Sequence, residues 1–493
     1  MLGMFSSRPD HPLADSREVR RILAELPAQE PAAAIDSATA WLESLVASEE
    51  FRPDRRLELV LQLDEAALPQ SRRLGREYLT APRPGRAQEF KLWQLNRNYW
   101  GELVTAYETV LAQACAGDKG IESIKDHLPL LYARLLHANG GRLKWDQFRY
   151  GPIDGLLWMA AGRAYLAAVQ GNVARRGVML YPGAETMPEA EYLKMLVFHA
   201  SSMDSLLPIE IEIAERLIAH FLPRFAFTDQ VRPENVYWVD AAKPLPPTRL
   251  AKLPEIAPTL RFFSTGQAIE SVVELRSRIE QTGELPASIN FGGQYSPRVV
   301  LPVLDHLAIC WAPKPPVRSH TRHRVKSRLT VVSGLAAIHR RLAGQAGPNG
   351  AEAWIAEDVS MGGMGAEVPL AGNDWVRIGA LLGMQPDGGD NWLIGVIRRF
   401  SRETESAAAV GIKTISKTPR AIVADCGGLQ TEGVLLDPPV AGDDVRVLVP
   451  AADWEEKIPL LFTLDGMRVR LFPQAMVDSG PDYSLGRYRV ETI

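Results

Sequence analysis

Arg324-Val325-Lys326-Ser327-Arg328, followed about thirty residues later by Asp358-Val359-Ser360-Met361-Gly362-Gly363, is the pair of segments around which the chain is organised. The first is basic and sits in a segment that reads as unstructured and irregular. The second reads as a strand end running into a glycine turn. From His306 to Ala351 there is no Asp or Glu, while Lys314, Arg318, Arg322, Arg324, Lys326, Arg328, Arg340 and Arg341 all fall in that window. The whole chain carries a formal charge of only −4 over 493 residues. An anion site must therefore come from local clustering, not from a global field.

Working outward, residues 329–332, 353–358, 365–368, 375–382, 392–400 and 408–415 are short segments rich in β-formers. Turn residues separate them, among them Gly347-Pro348-Asn349-Gly350 and Asp387-Gly388-Gly389-Asp390. Six strands at this spacing predict a small antiparallel barrel. Residues 433–436, 444–449, 460–464, 467–472 and 488–491 predict a second compact β domain after it.

An arginine fork matches paired acceptors, such as O6 and N7 of guanine, with two parallel hydrogen bonds, and its flat face stacks on a purine. Lysine does neither as well. Two arginines four residues apart in an extended chain stand roughly 13 Å apart, and a curved segment carries both around one ligand of that size. Asp358 suits an N–H donor on a ligand, or the orientation of an arginine, since its charge would repel an anion. Ser360 offers a donor, and Gly363 permits a positive φ or a close backbone approach.

In this order and spacing the two segments resemble the paired RxxxR and (D/N)xSxxG signatures of the PilZ domain, the bacterial receptor module for cyclic di-GMP. The resemblance covers about residues 318–417. It implies a six-stranded antiparallel β-barrel preceded by a ligand-wrapping linker, with cyclic di-GMP as ligand. Arg324 and Arg328 fill the arginine positions, and Asp358, Ser360 and Gly363 the second signature. Arg322 is an added candidate. A near-repeat, Asp482-Tyr483-Ser484-Leu485-Gly486-Arg487, has Arg487 where the pattern wants glycine and no arginine pair at the matching distance before it. The C-terminal β domain then reads as a degenerate relative in which no ligand is expected.

Before the barrel, residues 12–223 carry apolar positions at three- and four-residue steps in about eight segments, punctuated by Pro53, Pro82, Pro84, Gly140-Gly141 and Pro182-Gly183. This predicts a helical region. Phe90, Trp93, Tyr99 and Trp100 form an aromatic stretch of its longest helix and read as a core stripe rather than a partner groove. Glu210, Glu212 and Glu215 read as a solvated face. Residues 235–239 and 260–263 predict strands, and 267–281 and 296–310 helices, in a small mixed region. The expected fold class is a multidomain α+β protein. Its parts are a helical domain (1–225), a mixed α/β region (226–312), a PilZ-like barrel with its basic linker (313–419) and a C-terminal β domain (420–493).

The composition, 46% hydrophobic and 23% charged, is that of a globular protein. Three widely spaced cysteines, Cys115, Cys310 and Cys426, argue against a disulfide framework or zinc cluster and suit a reducing cytoplasm. No secretory pattern opens the chain, and the apolar runs 155–169 and 299–312 are too short to span a bilayer. No metalloprotease, P-loop or nucleophile-elbow element occurs, so an enzyme is not expected. The Arg-rich window lacks interleaved aromatics, which argues against a nucleic acid polymer as partner. The reading is a cytoplasmic cyclic di-GMP effector without cofactor or metal. The nucleotide orders the basic segment against the barrel and changes domain arrangement or binding of a protein partner by the helical domain. The alternative is an interaction module whose PilZ barrel no longer binds nucleotide.

Overall fold

The computed structural model describes residues 10–80, 86–116, 120–289, 293–314, 320–345, 350–373 and 375–492. Arg318, Pro315-Pro316 and the Gly347-Pro348-Asn349 turn lie outside the described residues. The chain divides into two compact units. One comprises the described residues within 1–149, 153–203 and 207–316, and the other those within 150–152, 204–206 and 317–493.

The first unit opens with eight α-helices among the described residues: α1 (Ser16–Glu25), α2 (Pro31–Ala47), α3 (Pro53–Thr80), α4 (Arg86–Ala116), α5 (Leu128–Gln147), α6 (Gly155–Gln170), α7 (Pro188–Ala200) and α8 (Pro208–Phe221). Proline in the first turn starts α2, α5, α7 and α8, where its fixed φ suits the helix and its missing N–H costs no bond. Between α6 and α7 runs a hairpin that periodicity missed, β1 (Val178–Tyr181) and β2 (Ala184–Thr186). Its turn uses Gly183 at φ 78°, and strands this short carry too few residues to alternate visibly.

The helices close on a buried carboxylate. Asp64 and Arg134 are each 1% exposed and pair at 2.7 Å. Tyr107 and Tyr181 donate their hydroxyls to Asp64 at 2.7 and 3.0 Å, and the Arg134 guanidinium lies 3.7 Å from the Tyr181 ring centroid. Burial, and then the Asp64 charge, pushes both phenols well up, so they stay donors. Buried charges need such pairing.

The aromatic stretch is core in its second half, Tyr99 and Trp100 being buried, while Phe90 is 46% exposed. The solvated face predicted for Glu212 and Glu215 is corrected. Glu212 takes Lys144 at 3.0 Å, and Glu215 takes Lys144 at 3.6 Å and Lys194. Lysines from α5 and α7 cover that side of α8, a tertiary contact invisible along one helix. Only Glu210 stays local, accepting the Leu207 N–H at 2.7 Å as a cap.

The mixed region is a sheet of β3 (Ala226–Thr228), β4 (Tyr237–Asp240), β5 (Thr248–Arg249) and β6 (Leu260–Ser264), in the order β3-β6-β4-β5. It is followed by α9 (Ala268–Thr282) and α10 (Pro297–Trp311). No helix among the described residues is long and apolar enough to cross a membrane.

The second unit holds two closed six-stranded antiparallel barrels. The first consists of β7 (His323–Ser333), β8 (Glu352–Ser360), β9 (Gly363–Pro369), β10 (Leu381–Pro386), β11 (Leu393–Arg402) and β12 (Ala407–Ser416), with α11 (Leu335–Leu342) after β7. Neighbours run β7-β8-β9-β12-β11-β10, with β10 closing on β7. Leu329 and Val331 of β7, Trp354 of β8 and Met364 and Ala366 of β9 point into its core. Two expectations shift. β7 starts six residues before 329 and takes in the basic run that read as irregular. The fourth strand begins at Leu381, because Trp375 stacks on Trp354 at 5.5 Å and donates to Glu352 at 2.8 Å from a loop.

The second barrel consists of β13 (Arg420–Cys426), β14 (Leu429–Leu435), β15 (Asp444–Pro450), β16 (Leu460–Leu464), β17 (Met467–Ser479) and β18 (Tyr483–Thr492). Its order, β13-β14-β15-β18-β17-β16, repeats the connectivity of the first. The barrels share an apolar seam. In it Val332, Leu335, Ile338 and Val396 meet Val434, Leu448, Tyr483 and Leu485.

Candidate functional site

The signature turn joins β8 to β9 through Met361-Gly362, with Ser360 paired to Gly363. Ser360 Oγ donates to the Gly363 carbonyl at 3.0 Å and closes the turn. Asp358 folds back. Its Oδ1 accepts the Gly365 N–H at 3.0 Å and its Oδ2 accepts Arg322 Nη1 at 2.8 Å. One extra residue in β8 between Ala356 and Asp358 turns that carboxylate toward the rim.

The glycines have distinct duties. A Cβ on Gly363 would sit 2.1 Å from the Ile412 carbonyl oxygen of β12, and one on Gly365 would press the Asp358 carboxylate at 3.1 Å. Of the two roles foreseen for Gly363, close backbone approach is the one observed.

β7 is also bulged. Arg324 pairs with Asp358, but Ser327 pairs with Ala356, so the basic run has one residue more than its partner. Arg324 and Arg328 are both exposed, and four residues of strand hold them roughly 13 Å apart. Neither has an ion-pair partner among the described residues.

A third bulge lies on β11, where Ile397 pairs with Ile412 and Arg399 with Gly411, leaving Arg398 extra. Ile397 and Phe400 are both in the core, so the two arginines between them both face outward. Gly411 makes room, since a Cβ there would lie 2.9 Å from Arg399 Cβ.

These elements meet at an open cleft of about 400 Å³, lined by His320, Arg322, Ser360, Gly362, Gly363, Arg398, Arg399 and Lys413, with Ser205 at its edge. Arg322, Ser360 and Gly363 thus come together, with Asp358 bound to Arg322. Arg324 and Arg328 stand on β7 outside the lining. Arg398, Arg399 and Lys413 escaped the sequence reading. For the two arginines the signal was Ile397-Arg398-Arg399-Phe400, two charges in succession inside an apolar strand.

The second barrel's equivalent of this turn is the β14–β15 connection, with Asp437, Pro439 and Gly442 where the first has Asp358, Ser360 and Gly363. The serine hydroxyl is lost. Asp437 is occupied by Arg446, which reaches it from Nε at 2.8 Å, Nη2 at 2.6 Å and its backbone N–H at 3.0 Å. Burial opposes this charge, but those bonds hold the Asp437 carboxyl below the usual range. Ser416 stands four residues before Arg420, so the arginine that opens the second barrel has no partner at the spacing of Arg324 and Arg328. The near-repeat at 482–487 does not join two strands as 358–363 does, because it leaves the β17–β18 turn at Asp482 and runs on as strand from Tyr483. It begins β18 in the seam, where Asp482 Oδ2 accepts the Leu335 N–H at 2.7 Å.

Six-stranded connectivity, the serine- and glycine-closed turn and the cationic rim agree with a PilZ-containing multidomain protein. Residues 17–233 match the family described as cyclic-di-GMP receptor FimW, N-terminal domain. The match lies in the helical half, ends before both barrels, and supports a cyclic-di-GMP receptor. No curated protein matches the chain.

Proposed function

We propose that this protein is a cyclic di-GMP effector that takes the nucleotide on its first barrel. Arg324 and Arg328 grip guanine edges or phosphates with their forks. Asp358 holds Arg322 or accepts from a guanine, Ser360 donates to the ligand, and Gly363 keeps the turn close to β12. Bound nucleotide draws the basic segment that leads into β7 against the barrel, and alters domain arrangement or the binding of a protein partner by the helical half. The chain acts as a binding protein rather than an enzyme, in the cytoplasm, with neither a nucleic acid polymer nor a cofactor involved.

The observation that carries this reading is the junction at Asp358. The same carboxylate takes Arg322 and the backbone N–H of Gly365, two residues beyond Gly363 of the signature turn, with Arg324 opposite it on β7. The family match over residues 17–233 supports the same ligand class. The test is calorimetric titration of the full chain with cyclic di-GMP. Arg324→Ala and Arg328→Ala are each expected to cost roughly 1–3 kcal/mol per lost bidentate contact, about ten-fold or more in affinity. Parent-like binding by both variants would refute the arginine pair.

A further inference from the structure

We propose that Asp204 and Asp478 are internal competitors for the ligand's phosphates, masking two arginines that form a further part of the binding cleft. The inference rests on the reading above and adds residues to it. Arg399 Nε donates to Asp204 Oδ2 at 2.6 Å, across 195 positions of sequence. Arg398 pairs through Nη2 with Asp478 of β17, across 80 positions. Neither carboxylate belongs to the first barrel. Asp478 lies on the second barrel, and Asp204 lies in the short segment 204–206, which groups with the barrels although its chain neighbours on both sides group with the helices.

The bulge at Arg398 makes the arrangement possible, because it presents two adjacent guanidinium groups at one lip of the cleft. Lys413, on the neighbouring strand β12, has no carboxylate partner among the described residues, so the lip keeps a net positive charge even with both pairs formed. Arg399 is 64% exposed and Arg398 43%. Ion pairs this open to solvent are weak and readily exchanged. A phosphodiester offers the same two-oxygen face as a carboxylate to an arginine fork. Entry of a ligand with two phosphates therefore trades Asp204 and Asp478 for phosphate oxygens. Binding releases the 204–206 segment and β17 from their charged contacts with β11, which couples the cleft to both.

The test is titration of the full chain with cyclic di-GMP, comparing the parent with Asp204→Asn, Asp478→Asn, both together, Arg399→Ala, Arg399→Ala combined with Asp204→Asn, and Arg324→Ala and Arg328→Ala singly. Circular dichroism melting checks that each variant folds. Each single asparagine is expected to tighten binding about two- to five-fold, the range of one exposed pair. Arg399→Ala weakens binding about ten-fold, and Asp204→Asn has no further effect in its background. Unchanged affinity in both asparagine variants, with Arg324→Ala and Arg328→Ala still weakening binding about ten-fold, overturns the competition and leaves the proposed function standing. Tightening by the asparagines with both Arg324→Ala and Arg328→Ala binding like the parent supports the competition and overturns the arginine pair. No binding by the parent or by the double asparagine variant overturns both.

Discussion

Arg322 Nη1 lies 2.8 Å from Asp358 Oδ2, joining residues 36 apart and tying the approach to β7 to the turn that ends β8. The carboxylate's other oxygen accepts the Gly365 N–H, so one side chain fixes both the turn and the arginine beside it. Asp358 thereby orients an arginine, one of the two roles its charge suggested.

That pair adds little to stability. Arg322 is 39% exposed and Asp358 28%, and such pairs contribute about 0.5 kcal/mol or less. Arg322→Ala is expected to leave the melting temperature nearly unchanged while weakening cyclic di-GMP binding several-fold. Parallel melting and calorimetry check this, and a large fall in melting temperature would contradict it.

Gly363 is expected to behave in the opposite way. A methyl group there meets the Ile412 carbonyl at 2.1 Å, and a ladder carbonyl in a closed barrel cannot step aside as a flexible side chain would. Gly363→Ala should destabilise the barrel by about 2–3 kcal/mol. Urea unfolding measures this directly, and a variant as stable as the parent would show that the strands separate freely.

Acid should loosen the helical half through Glu215. Burial raises its pKa, but Lys194 and Lys144 override burial and hold the carboxyl well below the usual range. A depressed folded-state pKa contributes stability above the unfolded value, about 4.3, and loses it as pH falls through the folded value. Glu215→Gln is expected to cost about 2 kcal/mol at neutral pH. The gap from the parent should narrow below about pH 4. Denaturant titrations at several pH values follow the gap, and a gap constant with pH would remove Glu215 as its source.

Asp64 is the buried hub of α3, α4, α5 and the hairpin. Asp64→Asn leaves the Arg134 charge with only Glu65, at 2.7 Å, and should cost about 3–5 kcal/mol. Arg134→Met in the same chain should recover part of the loss, since no unpaired buried charge then remains, Glu65 being half exposed. Thermal melts of the three proteins decide it, and the idea fails if the double variant is less stable than Asp64→Asn.

Much of this was written along the chain. The eight helices were legible from apolar positions at three- and four-residue steps, and most barrel strands from short runs of β-formers between turn residues. The turn at 358–363 was legible because serine and glycine act within a few residues of one another. The arginine pair at 324 and 328 could be named but not located. The sequence suggests an irregular basic segment, whereas ladder bonds to β8 make it strand. An acid-free run cannot announce that pairing.

The sequence by itself determined the eight helices, most barrel strands and where a hydroxyl, a carboxylate and a glycine share one turn, because propensity, periodicity and turn chemistry are local. Only the tertiary structure decided that the C-terminal part repeats the barrel's connectivity, that Glu212 and Glu215 face lysines, and that Arg398, Arg399 and Lys413 share a cleft with Ser360. Strand register and charge pairing across 80 or 195 residues depend on which surfaces meet when the barrels close, and no local pattern encodes that meeting.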